Sequence, residues 1–318
     1  MEKRRFGSTD MDVGILGFGA AEIGFSGASV EEVERLLDAA LSAGVNVIDT
    51  APLYCSSEEL IGKAAAGRRD EYYLFSKVGN PANPTGREMD YRRYLEESKV
   101  ATPGDWLPDS IEKSIDTSLK RLRTDHIDVI HLHCCSEEIL RQDEVLNVLD
   151  RAKSAGKIRY TGYSGDGKDA AYAVQSGHFD SLMTSINIAD QVAIDTTVLS
   201  AAESGMGVVA KRPIANRAWF FRERPDDVYF GYYVEYWNRL RALSYDFLKS
   251  SGNASVGEAL RFTLSVPGVH TAIVGTTNPD RFAENAALLS QRMMKEEEIR
   301  AIRDRWSEVA SPKWVGMI

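Results

Sequence analysis

The chain has 318 residues, of which 43% are hydrophobic and 27% are charged, and its formal net charge is -9. This is the composition of an ordinary globular protein, and the length is compatible with one large domain or two small ones. The acidic balance gives no electrostatic reason to expect a nucleic-acid or anionic-membrane partner, although it leaves room for a local basic pocket that binds a phosphate.

The sequence also lacks the marks of a membrane or secreted protein. No stretch reaches the roughly 20 uninterrupted apolar residues that a membrane span requires. The charged N-terminus is not followed by an apolar segment with a small-residue cleavage site, so we expect no secretory signal. Three cysteines, Cys55, Cys134 and Cys135, are few and odd in number, which indicates reduced thiols. We therefore expect a cytoplasmic protein.

The first clear structural unit is a helix followed by a strand. Apolar residues recur at helical spacing over 33–41, and the compact apolar run 45–48 predicts a strand. Ser29, with Glu32 three residues later, forms a capping box at the start of the helix. Gly44 stands where a left-handed residue would end it.

This alternation of strands and helices continues along the chain and predicts a single α/β domain over 1–318. Eight strand–helix units without an antiparallel block favour a closed (β/α)8 TIM barrel over an open doubly wound sheet. A further helix near 295–307 ends the chain. The predicted strands are 13–18, 45–48, 72–78, 127–133, 158–163, 181–187, 206–210 and 271–274, and the later helices are 109–123, 142–155, 167–176, 195–204, 255–266 and 279–290.

Two connections are much longer than the others, after strands 3 and 7 of the barrel. They span 80–107 and 211–254, and the second is predicted to contain a helix at 234–250. Both would rise from the face of the barrel where such enzymes have their sites. The second connection either lines an apolar pocket or covers the barrel rim, and both interpretations fit its aromatic residues, Trp219, Phe220, Phe221, Tyr229, Phe230, Tyr232, Tyr233, Tyr236 and Trp237.

Polar side chains come together at the predicted carboxyl ends of neighbouring strands. Asp49 and Tyr54 flank the end of the second strand, Lys77 ends the third and His133 ends the fourth. An ammonium group beside a phenol lowers the phenol's pKa, so we expect Lys77 to suit Tyr54 for proton donation, with Asp49 orienting the lysine. His133 would hydrogen-bond the substrate oxygen. His131 is an alternative, because residues two apart on a strand face the same side.

The motifs around these residues resemble those of the aldo-keto reductases over nearly the whole chain. The segments that carry the resemblance are 49–54 (DTAPLY), 74–79 (LFSKVG), 125–133 (DHIDVIHLH), 156–164 (GKIRYTGYS), and the opening segments 6–9 and 17–19. The resemblance selects His133, because the second aspartate of the histidine strand precedes the catalytic histidine by five residues. It implies a (β/α)8 barrel and NADPH-dependent reduction of an aldehyde or ketone, with Tyr54 protonating the oxygen and no metal.

The strongest signal for cofactor binding lies near the C-terminus of the chain, just after the last predicted strand. Gly17 and Gly19 are followed next by Gly24, which is the wrong spacing for a GxGxxG fingerprint and disfavours a Rossmann domain. Segment 275–285 (GTTNPDRFAEN) combines hydroxyl groups, a helix start and an arginine, which suits a phosphate. By the resemblance, the adenosine 2′-phosphate and adenine would contact Thr276, Thr277, Arg281, Glu284 and Asn285.

The resemblance places six further residues at the cofactor, with departures from the family pattern. Many members have lysine where this chain has Gly275, so one phosphate contact is expected to be missing and NADH becomes possible as the cofactor, although Arg281 still favours NADPH. Ser164 matches a contact to the nicotinamide amide, whereas Gly165 and Met183 replace the other two. The pair Lys211-Arg212 stands where Tyr-Ser is common and would contact the pyrophosphate or an anionic substrate, or be solvated. The six residues are Gly19, Ser164, Asn187 (as a compensating contact), Lys211, Arg212 and Pro213.

Two other functions stay open at this point. The chain could be a regulatory subunit that binds NADPH and turns over slowly. It could also be a barrel lyase or isomerase that forms a Schiff base through Lys77 and uses the C-terminal anion site for a phosphorylated substrate.

Overall fold

A closed barrel of eight parallel strands forms the centre of the protein. The structure, a computed structural model, describes residues 1–80, 105–225, 232–249, 253–290 and 292–317. The predicted (β/α)8 fold is confirmed, and the strand order around the barrel follows the chain, with the last strand pairing with the first. The barrel strands are β3 (Leu16–Gly19), β4 (Val47–Asp49), β5 (Tyr73–Val78), β6 (Ile127–His133), β7 (Ile158–Ser164), β8 (Ser181–Ser185), β9 (Gly207–Lys211) and β10 (Thr271–Gly275).

An antiparallel hairpin closes the N-terminal end of the barrel. Its strands are β1 (Lys3–Arg5) and β2 (Asp12–Gly14). The single strand predicted over 13–18 is therefore wrong, because its first part pairs with β1 and only its second part enters the barrel. Phe6 in the hairpin is fully buried and packs with apolar residues of the barrel interior, including Phe75.

The helices surround the barrel, and most of them bury one apolar face in the core around it. Those described are α1 (Ala21–Phe25), α2 (Val30–Ser42), α3 (Ser57–Ala64), α4 (Pro108–Leu122), α5 (Glu137–Leu140), α6 (Asp143–Ser154), α7 (Gly167–Ser176), α8 (Leu199–Glu203, after a π turn at Ile194–Val198), α9 (Tyr232–Leu243), α10 (Ala254–Ser265), α11 (Asp280–Leu289) and α12 (Glu296–Val309).

The local signals of α2 are confirmed. Ser29 accepts a hydrogen bond from the Glu32 backbone, and the Glu32 side chain accepts one from the Ser29 backbone. Gly44 follows the helix with φ of +85°, a conformation that costs a residue with a Cβ more than it costs glycine. The apolar face of α2 buries Val33 and Leu36 in the main core, between the helices and the barrel strands.

Several helical assignments differ from the expectation. The sequence pattern missed the short helices α1, α3 and α5, and it extended the helix in the second long connection to residue 250. That helix ends at Leu243 because Ser244 adopts a left-handed backbone, φ +49°, and a 3-10 turn follows at Asp246–Lys249. Most of the first long connection, 81–104, lies outside the described residues. Across the part of the chain that is described, no helix is long and apolar enough to span a bilayer.

Candidate active site

A cavity of about 630 Å³ opens at the carboxyl ends of the barrel strands. Because every barrel strand runs in the same direction, the residues that end the strands meet around one opening. The strand residues that line the cavity include Gly19, Asp49, Lys77, His133, Ser164, Met183, Lys211 and Gly275. Most of the sequence-predicted site residues on strands therefore lie on one surface.

Lys77 and Asp49 form a buried ion pair at the floor of this cavity. Lys77 Nζ lies 2.7 Å from both carboxylate oxygens of Asp49 and 2.8 Å from the backbone oxygen of Thr50. An ammonium group has three N–H donors, so these acceptors use all of them. Burial lowers the pKa of Lys77 and raises that of Asp49, while the attraction between the two charges opposes both shifts.

Tyr54 lies beside the pair, but its pKa moves in the direction opposite to the expectation. Lys77 Nζ is 4.8 Å from the centre of the Tyr54 ring. Burial, followed by the charge of Asp49, raises the pKa of Tyr54 well above 10. The expected lowering by Lys77 is wrong because the ammonium is paired with Asp49 and directs its N–H groups to other acceptors. Tyr54 therefore keeps its proton at neutral pH.

The two histidines of β6 lie at different depths. His133 lines the cavity, and its ring meets that of Tyr54 edge-on with 6.1 Å between centroids. His131 is fully buried, with Nε2 3.0 Å from Ser181 Oγ at the start of β8. Burial, aided by the Lys77 charge, lowers the pKa of both rings, that of His131 to about 3. The geometry brings His133, and not His131, to the cavity as a neutral imidazole.

Asn187, unlike Ser164 and Met183, does not line the cavity. Its Nδ2 donates to the Arg212 backbone oxygen at 3.0 Å, and its Oδ1 accepts from the Ala189 N–H at 2.8 Å. The geometry therefore gives no support to the expected contact between Asn187 and the nicotinamide. The side chain holds the backbone of Arg212 in place instead.

The cations Lys211 and Arg212 both have partners within the protein, which counts against the expectation that they are simply solvated. Lys211 is buried, and its Nζ pairs with Asp166 Oδ2 at 2.9 Å. The Arg212 guanidinium lies 3.6 Å from the centre of the Tyr232 ring and donates to the Met317 backbone oxygen at 2.7 Å. Burial raises the pKa of Asp166, but Lys211 and Arg212 outweigh it, so this pKa lies below its usual value.

Asp166, the partner of the cavity-lining Lys211, is a buried carboxylate that the sequence pattern did not single out. It is 1% exposed and accepts hydrogen bonds from Thr184 Oγ1 and the Ser185 N–H, both at 2.7 Å, in addition to its pairing with Lys211. Gly316 in the C-terminal tail packs directly on it, since a Cβ there would lie 2.5 Å from the Asp166 Cβ. No local motif pointed to it, because its partners come from three other segments.

The start of α11 offers less to an anion than the sequence suggested. Thr276 and Thr277 line the cavity. However, the Asp280 N–H donates to Asn278 Oδ1 at 3.0 Å and the Arg281 N–H donates to the Asn278 backbone oxygen at 3.2 Å. These two N–H groups are already satisfied, so recognition of a phosphate here depends on side chains.

Three predicted residues of α11, Arg281, Glu284 and Asn285, are not among the residues that line the cavity. Arg281 pairs with Glu284, which also accepts a hydrogen bond from Asn253 Nδ2 at 3.2 Å, and Asn285 is buried. Glu284 therefore orients Arg281. Direct contact of Glu284 or Asn285 with adenine stays a prediction.

Arg217 is a second residue that was missed at this end of the cavity. It lines the cavity, its guanidinium lies 4.5 Å from the centre of the Phe220 ring, and its buried Nε has no hydrogen-bond partner. Burial and the nearby charge of Arg281 lower the pKa of Arg217. Three successive left-handed residues, Ala215, Asn216 and Arg217, give the turn its path, and the sequence shows no glycine there that would have announced it.

Some aromatic residues of the second long connection line the cavity, as one interpretation predicted, and others lie outside it. Tyr232 and Tyr233 line the cavity. Phe220 and Phe221 are 44% and 42% exposed, whereas Tyr236 is buried in a separate core with Trp306. Tyr229 and Phe230 lie outside the described residues.

Comparison with known proteins identifies the family. The model of the "Aldo/keto reductase family" matches residues 15–306. The chain belongs to the aldo/keto reductase family. It is 28% identical to the uncharacterized oxidoreductase YqkF of Bacillus subtilis, over 95% of this chain and 96% of that protein. It is 26% identical to the NADH-specific methylglyoxal reductase of Escherichia coli, over 91% and 94% respectively.

A solved structure of an aldo-keto reductase has the same fold. The holo form of AKR11C1 from Bacillus halodurans superposes with a TM-score of 0.76 at 27% identity, covering 96% of both chains. The aldo/keto reductase family uses NAD(P)H and small carbonyl substrates, so the chain is expected to be an oxidoreductase of this kind.

The residues of the cavity fit a nicotinamide dinucleotide. The Nε of Arg217 is a hydrogen-bond donor without a partner at the cavity wall, and the charge of Arg281 lowers the pKa of Arg217, a repulsion that a bound anion would offset. Thr276 and Thr277 add hydroxyl groups on the same side. The tetrad of Asp49, Tyr54, Lys77 and His133 lies toward the other end, where a nicotinamide and a carbonyl substrate would meet.

Proposed function

We propose that this protein reduces an aldehyde or ketone to an alcohol, with NADPH or NADH as the cofactor. The observation that carries the proposal is the convergence of Tyr54, the Lys77–Asp49 pair and His133 on one cavity that also contains Thr276 and Arg217. When bound, the reduced cofactor supplies a hydride to the carbonyl carbon.

Tyr54 would donate its proton to the carbonyl oxygen. Its high pKa keeps the phenol protonated but makes the tyrosinate that follows unfavourable. The ammonium of Lys77, 4.8 Å from the ring centre, stabilises that negative charge as it develops, and Asp49 fixes the position of the ammonium. Neutral His133 would orient the carbonyl by hydrogen bonding to the same oxygen.

Both cofactors remain in the proposal. Arg217 and Arg281 favour NADPH, because a pair of guanidinium groups suits the adenosine 2′-phosphate. The relative in Escherichia coli that is named NADH-specific shows that a protein of similar sequence can prefer NADH. Gly19, Ser164, Lys211, Arg212 and Pro213 line the cavity and are proposed as further cofactor contacts.

The test is a panel of aldehydes and ketones assayed with both cofactors, beside Tyr54→Phe. We expect the variant to lose about 10²- to 10⁴-fold in kcat, which is the usual contribution of a general acid, while it binds the cofactor normally. Tyr160→Phe is the matched control, since that hydroxyl bonds to Asp10 at the closed end of the barrel. Equal rates in Tyr54→Phe and the wild type would remove Tyr54 from the mechanism.

The same assays separate the two alternative functions. Tight cofactor binding without turnover of any carbonyl would indicate a regulatory subunit. Trapping of a substrate on Lys77 with borohydride would indicate a Schiff-base lyase or isomerase. The structure counts against that chemistry, because a Schiff base needs a free neutral amine and Lys77 donates to three acceptors in an ion pair.

Three broader expectations are part of the proposal. Residues 1–318 are proposed to act as one domain, and the partner is a small carbonyl compound rather than a nucleic acid. A cytoplasmic location is proposed on the basis of the composition, and none of the three cysteines forms a disulfide.

A further inference from the structure

One carboxylate in the cavity wall has no counter-charge. Glu22 is the second residue of α1 and lines the cavity next to the end of β10. Its carboxylate lies on the backbone of Gly275, since a Cβ at that glycine would be 1.9 Å from Glu22 Oε2. Among the described residues, no ion pair or side-chain hydrogen bond involves this carboxylate.

The helix that carries Glu22 is held in place at the cavity wall. This helix, α1, is held against the segment that carries Tyr54, where a Cβ on Gly24 would lie 1.9 Å from the Tyr54 backbone oxygen. Ser57 Oγ also donates to the Ala20 backbone oxygen, at 2.7 Å, just before the helix. The backbone of α1 is therefore fixed next to the end of β10, where the Glu22 carboxylate contacts Gly275.

The other charged and titratable groups around this stretch of wall do not neutralise Glu22. Tyr233 on α9 is within electrostatic range, and the negative charge of Glu22 contributes to raising its pKa. Tyr54 and Arg217 line the same cavity but form no ion pair with Glu22, and the cavity-lining residues 273–277, at and just after the end of β10, carry no charge. Burial without a cation raises the pKa of Glu22 to about 7.

We propose that Glu22 takes up a proton when the nicotinamide dinucleotide binds, so that the cofactor meets a neutral carboxylic acid in this wall. The inference rests on the proposed function, because it needs an anionic cofactor in the cavity. The phosphates of NADH and NADPH are negative, and a second negative charge nearby favours the protonated form of the carboxyl group. One proton from solvent joins one Glu22 oxygen and no other bond changes.

The experiment measures cofactor affinity against pH by the fluorescence of NADH and NADPH, without a carbonyl substrate. For the wild type we expect Kd to rise above pH 7 by up to about tenfold per pH unit, the limit for one linked proton. Glu22→Gln should give a flatter profile over the same range. Glu34→Gln, on the exposed side of α2, is the matched control and should follow the wild type.

A second measurement counts the proton directly. At pH 8 in a weak buffer with an indicator dye, mixing wild type with cofactor should remove up to one proton per site from solution, and Glu22→Gln should remove fewer. Equal pH profiles and equal proton uptake in wild type and Glu22→Gln would overturn the inference even if carbonyl reduction is found. Cofactor binding with the expected proton uptake but no turnover would instead refute the reductase and leave the role of Glu22 intact.

Discussion

The two ends of the cavity differ in how their charges are balanced. At the tetrad end, the cations Lys77 and Lys211 each pair with a buried carboxylate, Asp49 and Asp166. At the other end, Arg217 lies near the like charge of Arg281, and Glu22 has no cation. We expect the paired charges to affect mainly the stability of the fold and the rate of the chemical step. We expect the unpaired charges to affect mainly cofactor binding and the dependence of stability on pH.

The largest expected effect is on stability at the balanced end. Asp49→Asn leaves the Lys77 ammonium buried without its anion, and breaking such a pair costs about 3–5 kcal/mol. We expect urea denaturation to show a loss of this size in the free energy of unfolding. Glu59→Gln is the control, because its pair with Lys63 is exposed and worth less than about 1 kcal/mol.

The double variant Asp49→Leu/Lys77→Met sharpens this prediction. Replacing a whole buried pair with apolar residues is often close to neutral. We therefore expect it to be more stable than Asp49→Asn, although inactive. If the double variant is less stable than the single one, the pair contributes more to stability than its charge balance explains.

At the unbalanced end, Glu22→Gln should stabilise the protein in alkaline solution. The folded protein holds the proton of Glu22 up to about pH 7, whereas the usual pKa is 4.5, so the wild type loses stability as pH rises through this window. The gain in Glu22→Gln should reach up to about 3 kcal/mol at pH 8 and vanish below pH 4.5. Thermal or urea unfolding across pH measures it, and a gain that is independent of pH would contradict the assignment.

Arg217→Gln and Arg281→Gln should each weaken NADPH binding with little change in NADH binding. A hydrogen bond to a charged group contributes about 1.5–3 kcal/mol, which corresponds to roughly tenfold or more in Kd. Folding stability should change little in Arg217→Gln, because the substitution also removes repulsion from Arg281. Arg222→Gln, an exposed arginine of the same connection, is the control. Equal losses for both cofactors would place these arginines at a phosphate that NADH and NADPH share.

The sequence predicted the balanced end well and the unbalanced end poorly. Strand periodicity and spacing were sufficient for Asp49 and Lys77, because residues at the ends of adjacent parallel strands must meet. A period of two residues left His131 and His133 as alternatives. The family resemblance selected His133, and the depth of the two rings in the barrel agrees with that choice.

The missed residues depend on backbone paths that have no sequence signal. Arg217 reaches the cavity through consecutive left-handed residues, none of which is glycine. Asp166 has its role because Lys211 comes from a strand 45 positions later. The direction of the Tyr54 pKa was wrong for a related reason: the sequence showed that Lys77 was near, but not that all its N–H groups were committed elsewhere.

The C-terminal tail shows how a site can depend on a segment without depending on its side chains. Arg212 is held by the carbonyl of Met317, and Arg239 by that of Val315. Every amino acid supplies a carbonyl, so substitutions at these two positions would leave both contacts available as long as the chain keeps its course. A shortened tail would instead remove one hydrogen-bond acceptor of Arg212. A search for sequence motifs would not detect the loss of this contact, because it involves a backbone carbonyl and no particular side chain.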